Sequence, residues 1–138
     1  MANKDFPTDE MTLSILLVVS DLEKTRWFYQ DVLGADFYRE YGGHTLVFTF
    51  LGTWLILTTG GPPTDDKPQV TLAPPADLNN MSAVWSIKVP DCQAAYETLK
   101  ARGAEFITPP INRGGYEIRC FFRDPDGHLI ELSETVSQ

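Results

Sequence analysis

The chain repeats itself. Val18-Val-Ser-Asp-Leu-Glu-Lys-Thr-Arg-Trp-Phe-Tyr leads on to Gly34-Ala-Asp-Phe, and Lys88-Val-Pro-Asp-Cys-Gln-Ala-Ala-Tyr leads on to Gly103-Ala-Glu-Phe. Asp21 and Asp91 stand 70 residues apart, whereas Gly34 and Gly103 stand 69 apart, as do Phe37 and Phe106. The copies therefore align with one residue deleted from the second. A period near 70 with only two copies does not build a solenoid, whose stability comes from stacking several short units. In a chain of 138 residues it describes a module duplicated within one domain.

Each copy carries the same local signals. Leu13–Val19 and Val84–Val89 are rich in branched apolar residues, as strands buried on at least one face are. Asp21 and Asp91 follow as helix N-caps, with Glu23 in the first turn of the first helix. Leu22, Phe28, Val32 and Leu33 form an apolar stripe, and Gly34 and Gly103 stop the two helices. Strand-like runs come next: Asp36–Glu40, Thr45–Leu51 and Trp54–Thr59 in the first copy, Glu105–Ile107, Glu117–Arg123 and Leu129–Glu134 in the second. Leu51-Gly52 and Asp124-Pro-Asp-Gly127 read as the turns before the last strand of each copy. The expectation is an α+β fold of two βαβββ modules, about residues 11–60 and 82–134, within a domain spanning 11–134. Residues 61–81, rich in proline and without periodicity, are the crossover between them.

Composition narrows the function. Eleven Lys and Arg against 19 Asp and Glu give a net charge of −8, which repels phosphate backbones and anionic membrane surfaces. No apolar run approaches the roughly 18 residues of a membrane span. Met1–Glu10 carries Lys4, Asp5, Asp9 and Glu10 where a leader would be apolar. Cys92 and Cys120, the only cysteines, have neither disulfide-framework nor zinc spacing and read as free thiols of a reducing cytoplasm. Nucleic acid and membrane are thus not expected partners.

With Val19-Ser-Asp-Leu-Glu, Phe28-Tyr, Val32-Leu-Gly and the run Phe122-Arg-Asp-Pro-Asp-Gly-His-Leu-Ile-Glu-Leu, the chain resembles the vicinal oxygen chelate superfamily. That superfamily includes glyoxalases, bleomycin and fosfomycin resistance proteins and extradiol dioxygenases. The resemblance implies a cup-shaped mixed sheet built by the paired modules, with helices outside and the ligand inside. It also implies four positions from which metal-using members draw ligands: Ser14, Ile56, Val84 and Glu131 in this sequence. A divalent ion in an open site normally needs three protein ligands from imidazole, carboxylate or thiolate, and this set holds one. His128, three residues before Glu131, falls on the opposite strand face, and His44 reads as a hairpin-end residue. No metal or other cofactor is expected.

Strand parity then gives the cup's lining. Glu131, Leu129 and Ser133 share a face; the family register adds Arg119 and Phe121, Ser14, Leu16 and Val18, Val84, Ser86 and Lys88, and Trp54 with Ile56. Ser14, Trp54, Ile56, Val84, Ser86, Arg119, Phe121 and Glu131 make up an apolar, aromatic ligand site with a few polar groups. Trp54 and Phe121 equally suit a filled sheet interior, and Glu131 with Arg119 a structural ion pair. Tyr116, after Gly114-Gly115, lies in a loop that can serve as a lid. Two classes of function follow. One is a metal-independent binding protein that sequesters a hydrophobic or aromatic small molecule, as antibiotic resistance proteins of the bleomycin type do. The other is a glyoxalase-like lyase, dioxygenase or isomerase with an altered site, in which Glu131 is the catalytic acid or base. A homodimer is expected, since family cups are often completed by subunit pairing and Trp27 and Trp85 fall near module edges.

Overall fold

The computed structural model describes residues 5–136, so Met1–Lys4 of the N-terminal segment read above lie outside the described residues. Strand β1 (Ser14–Val19) leads into helix α1 (Leu22–Arg26), which continues as a π-helical segment, Trp27–Val32. β2 (Asp36–Tyr41), β3 (Thr45–Phe50) and β4 (Thr53–Thr59) complete the first module. The second is β5 (Val84–Lys88), α2 (Cys92–Ala101), β6 (Glu105–Phe106), β7 (Ile111–Arg113), β8 (Glu117–Arg123) and β9 (Leu129–Thr135). Each module folds its own open sheet, ordered β1-β4-β3-β2 and β5-β9-β8-β6, with β7 also on β8. β1 pairs parallel with β4 and β5 with β9, and the remaining ladders are antiparallel. This is the α+β duplicated arrangement that the repeat implies. Among the described residues no helix is long and apolar enough to cross a membrane.

The helix caps follow the sequence signals. The Asp21 carboxylate accepts from the Lys24 N–H at 3.1 Å, and that of Asp91 from the Ala94 N–H at 3.0 Å. Gly34 and Gly103, at φ +84° and +111°, end the helical runs in a conformation that side chains disfavour. The one residue by which the copies differ lies between these cap and stop residues, and the π-helical segment is where it goes. Leu33 N–H donates to the Phe28 carbonyl at 2.8 Å, an i→i−5 bond that widens the turn by one residue. The Arg102 guanidinium of the second module donates to the Val32 carbonyl at 3.2 Å, satisfying an acceptor at the end of that segment.

Alternation along the strands sends one set of side chains to a single core cluster. It includes Phe28, Tyr29 and Val32 of the first helix, Leu46, Phe48, Leu55 and Leu57 of the first sheet, and Tyr96, Cys120, Phe122, Ile130 and Leu132 of the second module. The rings of Phe28 and Phe122 lie 6.2 Å apart, and Trp85 stacks on Tyr29 at 6.5 Å, so aromatic packing runs across the module boundary. Trp85 is therefore engaged within the chain rather than free at an edge. Trp27 is 45% exposed and lies over Gly103.

Polar contacts lock the same boundary. Asp124 is 4% exposed, and its carboxylate accepts from Tyr29 Oη at 2.9 Å, Asp126 N–H at 3.0 Å and His128 N–H at 2.9 Å. Asp126 accepts from the Ser20 N–H at 3.0 Å, and His128 Nε2 bonds the Val18 carbonyl at 2.7 Å. The β8–β9 turn of the second module is thus fastened to the β1–α1 corner of the first. Burial raises the Asp124 carboxyl above its usual range, and burial with the neighbouring Asp124 charge raises Tyr29 further above the ordinary tyrosine value. The crossover is held as well: the Arg123 guanidinium donates to the Leu78 carbonyl at 2.7 Å, with Leu78 lying directly over Gly127.

Candidate functional site

The face of each sheet that the helices leave uncovered carries the residues singled out by parity. In the first sheet, Ser14 is registered with Trp54 and Leu16 with Ile56, while Val47 stands beside Ile56 and Thr49 beside Trp54. The bulge between Phe37 and Arg39 turns Tyr38 to this face, where its ring meets Trp54 edge-on at 5.0 Å. In the second sheet, Ser86 is registered with Glu131, and Phe121 with Glu131 from the other side. Trp54 and Phe121 both lie outside the core cluster.

The two faces differ in chemistry. The first is apolar and aromatic, built on Leu16, Val47, Ile56, Trp54 and Tyr38 with threonine hydroxyls between them. At its far end His44 Nδ1 bonds Thr45 Oγ1 at 2.8 Å, which bonds Thr58 Oγ1 at 2.9 Å, so that imidazole is tied to a hydroxyl chain. The second face is the more polar, with Ser86, Lys88, Arg119, Glu131 and Ser133 beside the apolar Val84, Phe121 and Leu129. Ser86 Oγ donates to Glu131 Oε1 at 2.6 Å, and Lys88 Nζ to Thr135 Oγ1 at 2.8 Å.

Arg119 stands between two carboxylates, nearer to the one on its own strand than to Glu131. Its Nη1 is 3.0 Å from Glu117 Oε1 and 4.0 Å from Glu131 Oε2, too long for a hydrogen bond. Glu117, which also accepts from Ser133 Oγ at 3.2 Å, is the residue that sequence reasoning missed. Its signal was parity: it stands two residues before Arg119 on the same strand face. Among the described residues Glu131 Oε2 has no hydrogen-bond donor, Arg119 standing 4.0 Å away, while the side chain is only 17% exposed.

Both faces are open in a single chain. Leu16 is 50% exposed, Val84 47% and Tyr38 53%. Clefts of 340 and 480 Å³ lie elsewhere, one of 520 Å³ borders the first face at Leu16 and Val18, and none of them takes in Trp54, Arg119, Phe121 or Glu131. Tyr116 is 67% exposed in the loop before β8.

The donor set does not fit a divalent metal. Of Ser14, Ile56, Val84 and Glu131 only the last is a carboxylate, and its Oε1 already accepts from Ser86. His44 and His128 are bonded to Thr45 and to the Val18 carbonyl. Among the described residues no three His, Cys, Asp or Glu side chains converge as a metal site.

Residues 12–132 match the Glyoxalase/Bleomycin resistance protein/Dioxygenase superfamily, and the chain belongs to it. It is similar to the lactoylglutathione lyase of Neisseria meningitidis serogroup A, 32% identical over 136 residues that cover 91% of each chain. It is also similar to the probable lactoylglutathione lyase of Synechocystis, 28% identical over 135 residues, covering 91% of this chain and 96% of that one. A glyoxalase/bleomycin resistance protein/dioxygenase from Nocardioides shares its fold with a TM-score of 0.74 at 22% identity, covering 96% of this chain and 88% of that structure.

Proposed function

We propose that the protein is a cytoplasmic, metal-independent binder of a hydrophobic or aromatic small molecule. The observation that carries this reading is the donor set at the four superfamily ligand positions: Ser14, Ile56, Val84 and Glu131 offer an ion one carboxylate. The uncovered faces support it. An apolar ring stacks on Trp54, and a donor on the same molecule reaches Glu131 Oε2, the acceptor that Ser86 leaves open.

The binding cup is completed by a second copy. Small-molecule sites enclose most of their ligand, and the faces carrying Trp54 and Glu131 are open in one chain. In a two-fold dimer the apolar face of one copy covers the polar face of the other, giving two equivalent cups. The domain so paired spans residues 11–134. Thermal-shift screening of an aromatic library against purified, metal-free protein tests the reading: stabilisation by a compound supports it. If no compound stabilises the protein and sedimentation gives a monomer at every concentration, the reading fails.

A second reading is favoured by the relatives named lactoylglutathione lyase. In it Glu131 is the general base of a lyase with an altered site. Formation of lactoylglutathione by purified protein, lost in Glu131→Gln, supports that reading over sequestration.

A further inference from the structure

We propose that Cys92 and Cys120 form an intramolecular modification site, a dithiol that two-electron oxidants of the peroxide or azo class close to a disulfide. The sulfurs are already neighbours: Cys92 Sγ lies 3.8 Å from Cys120 Sγ across the seam between α2 and β8. A disulfide needs about 2.05 Å, a closure within reach of side-chain rotation and a small shift of the helix end.

The repeat supplies an internal control. By strand register Leu46 occupies in the first module the place of Cys120 in the second, since Leu46 pairs with Leu57 and Cys120 with Leu132. By the helix cap Leu22 occupies the place of Cys92. Packing at this seam is thus met by two leucines in one copy. In the other copy both positions are cysteine, and they are the only cysteines in the chain. A requirement for apolar volume alone does not bring both to one contact.

Burial sets the rate rather than preventing the reaction. Cys92 is 0% exposed and Cys120 1%, and burial pushes the Cys120 thiol up to about 12, so neither is a thiolate in the closed structure. Cys92, however, is the first residue of α2, flanked by the exposed Pro90, Asp91, Gln93 and Ala94. Helix ends open locally at far lower cost than the whole fold, and opening of this one turn admits a small oxidant. With hydrogen peroxide, the Cys92 thiolate attacks one oxygen, the O–O bond breaks and a sulfenic acid and hydroxide form. The Cys120 thiolate then attacks that sulfur and expels a second hydroxide. The two thiol protons and two electrons leave in two waters. The bond ties α2 to the strand segment that presents Arg119 and Phe121 on its other face.

Treatment of the native protein with hydrogen peroxide or diamide tests this. The expected result is loss of both free thiols, a mass lower by about 2 Da for the two hydrogens lost, and a peptide linking Cys92 to Cys120 that dithiothreitol releases. Near-ultraviolet circular dichroism should stay native throughout, and Cys92→Ala should give no such product. Thiols that survive in buffer yet oxidise in urea would overturn the proposal. So would intermolecular dimers or a sulfinic acid on one cysteine in place of the linked peptide. Peptide mapping of the unsubstituted chain decides the matter even if Cys92→Ala folds poorly.

Discussion

Asp124 is the residue through which the two modules are most directly coupled, and substituting it separates geometry from charge. In Asp124→Ala, Tyr29 Oη, 0% exposed, loses the carboxylate it reaches at 2.9 Å. The N–H groups of Asp126 and His128 lose an acceptor as well, but both residues are half-buried and can recruit water. A buried donor left unpaired costs about 1–3 kcal/mol and a turn N–H that finds water less, so the sum is about 3 kcal/mol. Asp124→Asn keeps the amide oxygen for both N–H groups and turns an NH2 toward Tyr29, whose hydroxyl can rotate to accept. It also removes a charge that burial disfavours, so its cost is about 1 kcal/mol or less. The carboxyl is raised above its ordinary value of 3.8, so the native state holds this proton more tightly than the unfolded chain. Its contribution to stability is therefore greatest below pH 3.8 and falls as pH rises through the native value, a slope that Asp124→Asn lacks. Urea unfolding at several pH values, with unchanged m, measures all three quantities. An Asp124→Ala loss under about 1 kcal/mol would refute the coupling. Equal losses for Ala and Asn would show that the ionised charge, rather than hydrogen-bond geometry, holds the turn.

Other consequences are directly measurable. Leu51 holds φ +49° beside Gly52 at +77° in the β3–β4 hairpin while being 73% exposed, so Leu51→Asn should stabilise by about 1 kcal/mol, seen as a higher melting temperature. Trp54→Ala should cost folding only about 0.5–1.5 kcal/mol, the worth of its edge contact with Tyr38, while abolishing stabilisation by aromatic ligands; a loss of several kcal/mol would make Trp54 a core residue. Chelation by EDTA should leave the melting temperature unchanged, and a stoichiometric metal removed with loss of stability would overturn the ligand-set argument.

Much of this fold was legible because its signals are local. Asp21 and Asp91 cap helices, Gly34 and Gly103 end them, and parity sorts each strand into two faces. What escaped depends on distance or on detail below the pattern. The deleted residue was visible as an offset, but that the longer copy stores it in a π-helical turn depends on which carbonyl each N–H selects. Strand β7, a short run directly after Pro109-Pro110, was not among the expected strands, since proline and three residues give little pattern to read. Asp124 was read as a turn residue, and its bond to Tyr29 joins positions 95 apart in sequence. Glu131 was set on its face by parity and Arg119 by the family register, but the nearer partner of Arg119 is set by rotamers that alternation does not encode.

The duplicated module also argues from its own divergence. On the helix-covered side most pairs have stayed alike, with Phe48 answering to Phe122, Leu55 to Ile130 and Leu57 to Leu132 by register, and Leu46 against Cys120 the exception. There any change of volume disturbs a close-packed core. On the uncovered side the copies have parted, with Val47 answering to Phe121, Thr45 to Arg119 and Ile56 to Glu131. A metal held between the two copies needs donors from both, which would keep these positions chemically matched. An enclosed site for a molecule with an apolar body and a polar end needs the reverse, one wall of each kind. On the proposed reading, the differences between Ile56 and Glu131, and between Thr45 and Arg119, are of that second sort.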